Sequence, residues 1–218
     1  MVKEENNYIS ALRYGWLTEL YDPIMQSALR EKKFRGQLIQ QANIRSGHHV
    51  LDLGCGTATL TILLKQLHPH TKIVGLDADD KALVIAQRKI TASDLEIEFK
   101  KGMSFELDLQ DHYFDRVLSS LLFHHLTPEK KLETLTEIKR VLKPGGELHI
   151  ADWGKAQNIL MRGAFLLVQL LDGFSTTSES VQGKLLDYMK QVGFENAGET
   201  KRFNTIFGTL SLYRANLS

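Results

Sequence analysis

Short apolar runs alternate with longer segments of helical periodicity through the middle of the chain. The runs are rich in leucine, isoleucine and valine, which is typical of parallel strands covered on both faces. They predict strands at 50–53, 72–77, 95–99, 114–120 and 148–152. Strands that alternate with helices in this way predict a parallel sheet with right-handed crossovers.

Apolar residues three and four positions apart predict a helix in each of three intervals between these strands. The first helix follows a turn containing glycine, and the second starts at Asp79 and Asp80, since acids suit a helix N-terminus. The third starts at Thr127, followed by proline, and the motif Pro-Gly-Gly at 144–146 is predicted to end it. The predicted buried faces consist of Leu60, Leu63, Leu64, Leu67, Ala82, Leu83, Ala86, Ile90, Leu132, Leu135, Ile138 and Leu142.

Segments on either side of this region predict further elements. Residues 8–43 have helical spacing, and residues 155–180 combine an apolar helix with a loop rich in serine and threonine. A later helix, ending at Gly193, precedes two strands that form an antiparallel hairpin. The expected fold is a three-layer α/β domain with a mostly parallel, seven-stranded sheet and an antiparallel strand from the C-terminal hairpin. We expect one domain, 1–218, with a helical cap at 1–46, a core at 47–152, a lid insert at 153–180, and a helix and hairpin at 181–218.

Composition narrows the possible functions. The 218 residues are 43% hydrophobic and 24% charged, as in a globular protein with a substantial core. A net charge of +1 provides no broad field that would attract nucleic acid or an anionic membrane. The single cysteine, Cys55, excludes an internal disulfide and fits a reducing compartment. The first residues are too polar for a secretory signal and no apolar stretch is long enough to span a bilayer, so we predict a cytoplasmic protein.

The glycine turn after the first strand carries the first candidate ligand contacts. Gly54 and Gly56 lack a Cβ, so the backbone can turn sharply there and lie close against a ligand. A strand, a glycine loop and a helix N-terminus in series form a nucleotide-binding corner. Asp77, at the end of the second strand, is placed to accept hydrogen bonds from both hydroxyls of a ribose. Its alternative role is to cap the next helix, for which Asp79 and Asp80 are already placed.

Two classes of cofactor use such a corner, and the loop favours one of them. A dinucleotide site prefers a third glycine where this chain has Thr59, so that the helix can approach a pyrophosphate. Asp52, two residues before the first glycine, would also repel a pyrophosphate. Its carboxylate suits a ligand that carries a cationic amine or sulfonium.

These motifs resemble those of the class I S-adenosylmethionine-dependent methyltransferases. Residues 51–57 (LDLGCGT) resemble the first motif of that family, and residues 76–79 (LDAD) resemble its second-strand motif. Residues 114–118 (FDRVL) and 142–148 (LKPGGEL) resemble its fourth- and fifth-strand motifs, so that the resemblance covers residues 47–152. It implies a Rossmann-like fold, with S-adenosyl-L-methionine as cofactor and S-adenosyl-L-homocysteine as product. The motif Tyr-Asp-Pro at 21–23 resembles the ubiquinone- and menaquinone-biosynthesis type.

The resemblance also implies particular cofactor contacts. The residues at the matching positions are Asp52, Gly54, Gly56, Asp77, Ala78, Met103, Ser104 and Ser119. The two glycines would pass beneath the methionine portion of the cofactor, with Asp52 near its amino group. Asp77 would bind the ribose hydroxyls and Ala78 would lie against the adenine.

The remaining implied contacts concern the adenine and the amino group. The family often has an acid at the position of Met103, which bonds the adenine amino group. Met103 can instead pack on the purine, while Ser104 offers its amide or hydroxyl. Ser119, at the end of the fourth strand, would supply a backbone carbonyl to the cofactor amino group.

His124 and His125, directly after the fourth strand, are the candidates for acid–base chemistry. Methyl transfer from a sulfonium depends mainly on alignment, and a base is needed only where the nucleophile must lose a proton. His124 is the candidate catalytic residue, which could accept that proton or orient the acceptor. Alternatively, both histidines pack against Phe123 and the following helix.

We expect no metal site, because the other histidines lack suitable partners. His48 and His49 enter a strand and point to opposite faces, so they cannot share a metal. His68 and His70 lie in a turn without a nearby acid or thiol.

Aromatic residues outside the matched motifs are candidates for the walls of an acceptor pocket. They are Tyr14, Trp16, Tyr21, Trp153, Phe165 and Phe174. Such walls indicate a small, partly hydrophobic acceptor. No basic strip interleaved with aromatics is present, so nucleic acid is not an expected partner, and we expect a monomer or a homodimer without a membrane span.

The sequence therefore predicts a methyltransferase that transfers a methyl group in line from S-adenosylmethionine to a small molecule. Two alternatives remain open. An NAD-dependent oxidoreductase would share the same sheet. A non-catalytic S-adenosylmethionine-binding protein would explain why no catalytic residue stands out.

Overall fold

The structure, a computed structural model, describes residues 31–93, 95–154, 183–205 and 208–218. The described helices are α1 (Glu31–Gln41), α2 (Thr59–Leu67), α3 (Asp80–Thr91), α4 (Pro128–Val141) and α5 (Leu185–Val192), with a short 3₁₀ helix at Phe123–His125. The described strands are β1 (His49–Leu53), β2 (Lys72–Asp77), β3 (Glu98–Lys101), β4 (Phe114–Ser120), β5 (Leu142–Trp153), β6 (Glu195–Thr205) and β7 (Gly208–Asn216). None of the helices in these residues is long and apolar enough to cross a membrane.

The described strands form one seven-stranded sheet in the order β3-β2-β1-β4-β5-β7-β6. Strands β1 to β5 are parallel, whereas β7 is antiparallel to both β5 and β6. This confirms the predicted α/β fold, including the closing hairpin. The chain order reverses between β1 and β4, and in open sheets of this kind ligands bind beside the carboxyl ends of the strands at such a reversal.

Alternate residues of the strands face two hydrophobic cores, one on each side of the sheet. Val50 of β1 packs in the core that includes Phe34 of α1 and residues of α2. Leu51, its neighbour, packs in the core that includes Ile138 of α4 and Met189 of α5. The two faces of β1 therefore meet different helices, and the position of a residue along the strand determines which layer it contacts.

The described part of the predicted 8–43 helical segment is α1, and two hydrogen bonds fix its C-terminal end. Arg116, near the start of β4, donates from Nε to the carbonyl of Ala42 at 2.7 Å. Gln41 donates to the carbonyl of Tyr213 at 3.0 Å. The C-terminal end of α1 thus lies near the start of β4, and the earlier turns of the helix extend away from that point. The earlier part of the predicted cap and the insert at 155–180 lie outside the described residues.

Three local predictions differ from the structure. Strand β3 comprises Glu98–Lys101 rather than 95–99, because its ladder with β2 pairs Val74 with Glu98 and ends at Lys101. Leu67, predicted on a buried face, is 55% exposed because it ends α2. Leu142, predicted on the buried face of the third helix, is the first residue of β5.

The region around 144–146 explains the third difference. The chain passes directly from α4 into β5, which comprises Leu142–Trp153 rather than the predicted 148–152. The Pro-Gly-Gly motif therefore lies within the strand and, contrary to the prediction, does not end the helix. The pairing of β4 with β5 shifts register between Phe114 and Arg116, and the extra residues of β5 are accommodated at this irregularity.

Candidate active site

The glycine loop lies between β1 and α2, at the carboxyl end of β1. Gly54 and Gly56 have φ values of 75° and 52°, in the left-handed region that glycine adopts readily. The amides of Gly54 and Cys55 both donate to the carbonyl of Leu76, at 2.8 and 3.0 Å. A Cβ on Gly56 would meet no atom within 4 Å, so the backbone there borders open space. The loop therefore presents bare backbone at the reversal in strand order.

Asp77 closes this loop from the end of β2. One carboxylate oxygen accepts from the amide of Gly56 at 2.8 Å, and the other accepts from the amide of Asp79 at 2.9 Å. Burial raises the pKa of Asp77 above its ordinary value. Asp79 caps α3 by accepting from the amide of Lys81 at 2.8 Å, so Asp77 is not needed as the cap. Ala78 follows at the same edge and is half-buried.

Asp52 lies inside the protein beneath the loop and is 0% exposed. It faces the same side as Val50, and its Oδ2 accepts a 2.6 Å hydrogen bond from the hydroxyl of Thr61 on α2. Its other oxygen, Oδ1, is buried and has no hydrogen-bond partner. Burial is the main reason that the pKa of Asp52 is raised to about 6. A buried acceptor without a donor is unfavourable, so this oxygen is suited to a ligand that brings a donor.

The loop after β3 contains Met103 and Ser104. Met103 is half-buried and forms an isolated antiparallel bridge with Glu106. Ser104 is buried, and its hydroxyl shares a 3.0 Å hydrogen bond with the hydroxyl of Thr134 on α4. Glu137, one turn further along α4, accepts from the amide of Leu107 at 2.8 Å. Helix α4 therefore fixes the loop that carries both predicted adenine contacts.

Ser119 lies in the paired part of β4, opposite Leu53 of β1 and Ile150 of β5. It is completely buried, and its hydroxyl donates to the carbonyl of Leu53 at 2.9 Å. The side chain thus ties the ends of two neighbouring strands together directly before the glycine loop.

His124 is held by an acid that sequence reasoning missed. Its Nδ1 lies 2.7 Å from Oδ1 of Asp152, near the end of β5, and both side chains are almost completely buried. Asp152 also accepts from the amides of Phe123 and His124, at 2.7 and 3.3 Å, and from the amide of Trp153 at 2.7 Å. Burial would raise the pKa of Asp152, but its interactions with His124 and the amide of Trp153 hold that pKa below its ordinary value. The available signal was an acid inside an otherwise apolar strand end.

The ring of His125 lies beside that of His124, with 3.9 Å between the ring centroids and 42° between the ring planes. Burial lowers the pKa of His125 to about 3, so the ring is neutral near pH 7. Of the aromatic residues predicted to line an acceptor pocket, Trp153 is described, and its ring lies edge-on to His124 at 6.3 Å. The other predicted wall residues lie outside the described part of the chain. Within that part, no group of three or more His, Cys, Asp and Glu residues could hold a metal.

Comparison with known proteins identifies the family. A family model described as a methyltransferase domain matches residues 50–146. The chain is 30% identical over 211 residues to the demethylmenaquinone methyltransferase of Lactobacillus johnsonii, and the match covers 88% of this chain and 84% of that protein. The chain belongs to the class I S-adenosylmethionine-dependent methyltransferases.

A second relative and a solved structure are also similar to this chain. This methyltransferase is 31% identical over 170 residues to the demethylmenaquinone methyltransferase of Symbiobacterium thermophilum, covering 76% of this chain but less than two thirds, 66%, of that relative. The crystal structure of a SAM-dependent methyltransferase from Aquifex aeolicus shares the fold, with a TM-score of 0.68, 20% identity, and coverage of 93% of this chain and 97% of that one. The family favours neither of the two alternatives, the NAD-dependent oxidoreductase and the non-catalytic binding protein.

The site of the methyltransferase fits S-adenosylmethionine, the cofactor of its family. The orphaned Oδ1 of Asp52 suits an ammonium group, and Asp77 places a second carboxylate at the end of β2, beside the glycine loop. Open space beside Gly56 leaves room for a ligand against the backbone. A pyrophosphate would instead place its charge between two carboxylates, which is unfavourable.

Proposed function

We propose that this methyltransferase methylates a small, partly hydrophobic acceptor whose nucleophile must lose a proton, and that His124 accepts that proton. The buried 2.7 Å hydrogen bond between His124 and Asp152 carries this proposal. A histidine oriented by a buried carboxylate is a common arrangement for a general base.

The contacts of Asp152 determine which nitrogen of His124 can act. Among the described residues, the carboxylate of Asp152 accepts from three backbone amides and lies 2.7 Å from Nδ1 of His124. The pKa of Asp152 lies below its ordinary value, so near pH 7 the carboxylate is ionised and can only accept hydrogen bonds. Nδ1 therefore carries a proton, and in the neutral ring Nε2 is the basic nitrogen. His125 stays neutral beside it and adds no competing charge near pH 7.

The positions described above support the cofactor contacts that we propose. We assign the ribose hydroxyls to Asp77, the methionine ammonium to Asp52 and the carbonyl of Ser119, and the adenine to Ala78 and Met103. Because the hydroxyl of Ser104 is shared with Thr134, its backbone amide is the group left for the adenine. Gly54 and Gly56 bring the loop close to the methionine portion. When bound, S-adenosylmethionine supplies an activated methyl group, so the remaining task of the protein is alignment and removal of the acceptor proton.

The acceptor class is inferred from the surroundings of His124 and from the relatives. Trp153 provides an aromatic wall beside His124. Two relatives are named demethylmenaquinone methyltransferases, which supports an aromatic acceptor with an acidic hydroxyl, such as a reduced quinone. The net charge of +1 supports a protein that does not bind nucleic acid. We also propose that it is a cytoplasmic monomer or homodimer.

The test separates proton removal from cofactor binding. Transfer of labelled methyl from S-adenosylmethionine to 1,4-naphthohydroquinone is measured for the wild type and for His124→Gln and Asp152→Asn. Both variants should lower kcat by about 10²-fold or more, while S-adenosylhomocysteine affinity, measured by calorimetry, stays within twofold. His70→Gln, at an exposed turn position, is the matched control and should leave both quantities unchanged. Undiminished kcat in His124→Gln would refute the role of His124 as the base.

A further inference from the structure

We infer that Lys89 of α3 is a positioning residue, which holds the glycine loop in the conformation that accepts the methionine portion of the cofactor. The ammonium group of Lys89 donates to the hydroxyl and to the carbonyl of Thr57, at 2.9 and 3.0 Å. Thr57 directly follows Gly56 in the loop. This inference rests on the cofactor contacts proposed above, since Lys89 acts through the loop.

The junction between the glycine loop and α2 is not stabilised by its own residues. Ala58 is the N-cap residue of α2 and forms no side-chain hydrogen bond to the first amides of the helix. Its φ of 66° lies in the left-handed region, which is unfavourable for a residue with a Cβ. Such strain persists only where surrounding contacts hold the backbone in place. The junction therefore depends on contacts from other elements.

Strand β2 and helix α3 provide these contacts at successive residues of the loop. The carbonyl of Leu76 and the carboxylate of Asp77 accept hydrogen bonds from the earlier loop amides. Lys89 extends this series by one residue, to Thr57. Because Thr57 directly precedes Ala58, Lys89 holds the loop next to its strained residue.

The charge of Lys89 argues against a role in stabilising α2 alone. A helix N-terminus carries a partial positive charge, so a cation beside it is unfavourable. Lys89 nevertheless contacts Thr57, two residues before the first residue of α2. The benefit of the contact therefore lies in the conformation of the loop. A loop that already has its binding conformation loses less conformational entropy when a ligand binds, which increases affinity.

Two ligands separate this role from a general effect on folding. S-adenosylhomocysteine carries the amino-acid portion that we assign to the loop, and 5′-methylthioadenosine lacks it. Lys89→Met removes the charge and both hydrogen bonds, so it should weaken S-adenosylhomocysteine binding about tenfold and 5′-methylthioadenosine binding about threefold or less. Lys89→Arg keeps a positive charge and N–H donors, so its S-adenosylhomocysteine affinity should return to within about threefold of the wild type.

Arg88→Met is the matched control. Arg88 is the exposed neighbour of Lys89 on α3, and its replacement removes the same charge. The affinities of this variant for both ligands should equal those of the wild type. Equal losses in Arg88→Met and Lys89→Met would show a general effect of charge and would overturn the role of Lys89.

Calorimetry on the full chain measures all of these affinities. Unchanged S-adenosylhomocysteine binding in Lys89→Met, or an equal loss of both ligands, would also overturn the role of Lys89 and leave the cofactor site standing. Retained 5′-methylthioadenosine binding shows that the variant is folded. A wild-type protein that binds neither ligand would instead overturn the cofactor contacts themselves, and this inference with them.

Discussion

Replacing Asp52 with asparagine tests whether burial makes this carboxylate unfavourable in the cofactor-free protein. Asp52 is 0% exposed, and burial is the largest influence that raises its pKa from 3.8 to about 6. Because the folded-state pKa is above the unfolded one, the unfolded chain loses the proton first as pH rises. The penalty on the folded state therefore begins near the unfolded pKa and is complete above the folded pKa. About two pKa units correspond to roughly 3 kcal/mol.

The assay is chemical denaturation without ligand at several pH values between 4.5 and 7.5. About 2 kcal/mol of the penalty should develop in this window, because part of it is already present at the lower limit. The unfolding free energy of the wild type should therefore fall by that amount relative to Asp52→Asn. Comparing the difference across pH removes any constant effect of placing an amide beside Thr61.

Asp108→Asn is the control for the substitution itself, because Asp108 is exposed and its replacement removes no buried carboxylate. At saturating S-adenosylhomocysteine the wild type should become more stable than Asp52→Asn, since the ammonium group of the ligand would favour the ionised Asp52. If the curves of wild type and Asp52→Asn remain parallel from pH 4.5 to 7.5, the burial argument is refuted.

The remaining predictions concern the ribose contact and two glycines. Asp77→Ala should weaken S-adenosylhomocysteine binding at least about tenfold in calorimetry, because charge-assisted hydrogen bonds are lost. Asp80→Ala, at an exposed position, is the control and should leave the affinity unchanged. Equal affinities of the two variants would contradict the assignment of Asp77 to the ribose. Gly36→Ala should raise the unfolding free energy by about 0.5–1 kcal/mol, because Gly36 lies inside α1 and a Cβ there meets nothing within 4 Å. Gly54→Ala should lower the unfolding free energy by about 1–3 kcal/mol, because Gly54 has a φ of 75° and a Cβ would lie 3.1 Å from Leu122. Thermal denaturation measures both glycine variants, and a change of stability in the same direction for both would contradict these two predictions.

Local sequence patterns were sufficient to predict most of the strands and helices. The strands at 72–77 and 114–120 were predicted with the bounds that the structure has, because each contains adjacent apolar residues that are buried in the centre of the strand. The start of α3 was equally clear, since Asp79 is both predicted and observed at its N-terminus. Strand β3 was less well defined because its ends depend on ladder pairing with β2 rather than on its own composition.

The parts of the site that sequence reasoning missed depend on contacts between distant segments. Asp152 and His124 are separated by 28 residues, and only the parallel pairing of β4 with β5 brings them together. Leu142 shows the same limit at the level of secondary structure, because helical spacing continues into the first residue of β5.

The position of Asp152 within the sheet has a consequence for how such a protein can diversify. Asp152 pairs with Ser211 of β7, and the preceding residue, Ala151, pairs with Ser120 of β4. The orientation of the His124 imidazole is therefore set by the paired strands of the sheet and does not depend on surface loops, which vary more freely among proteins. Substitutions that reshape the space for a new methyl acceptor can accumulate around the imidazole without resetting its alignment.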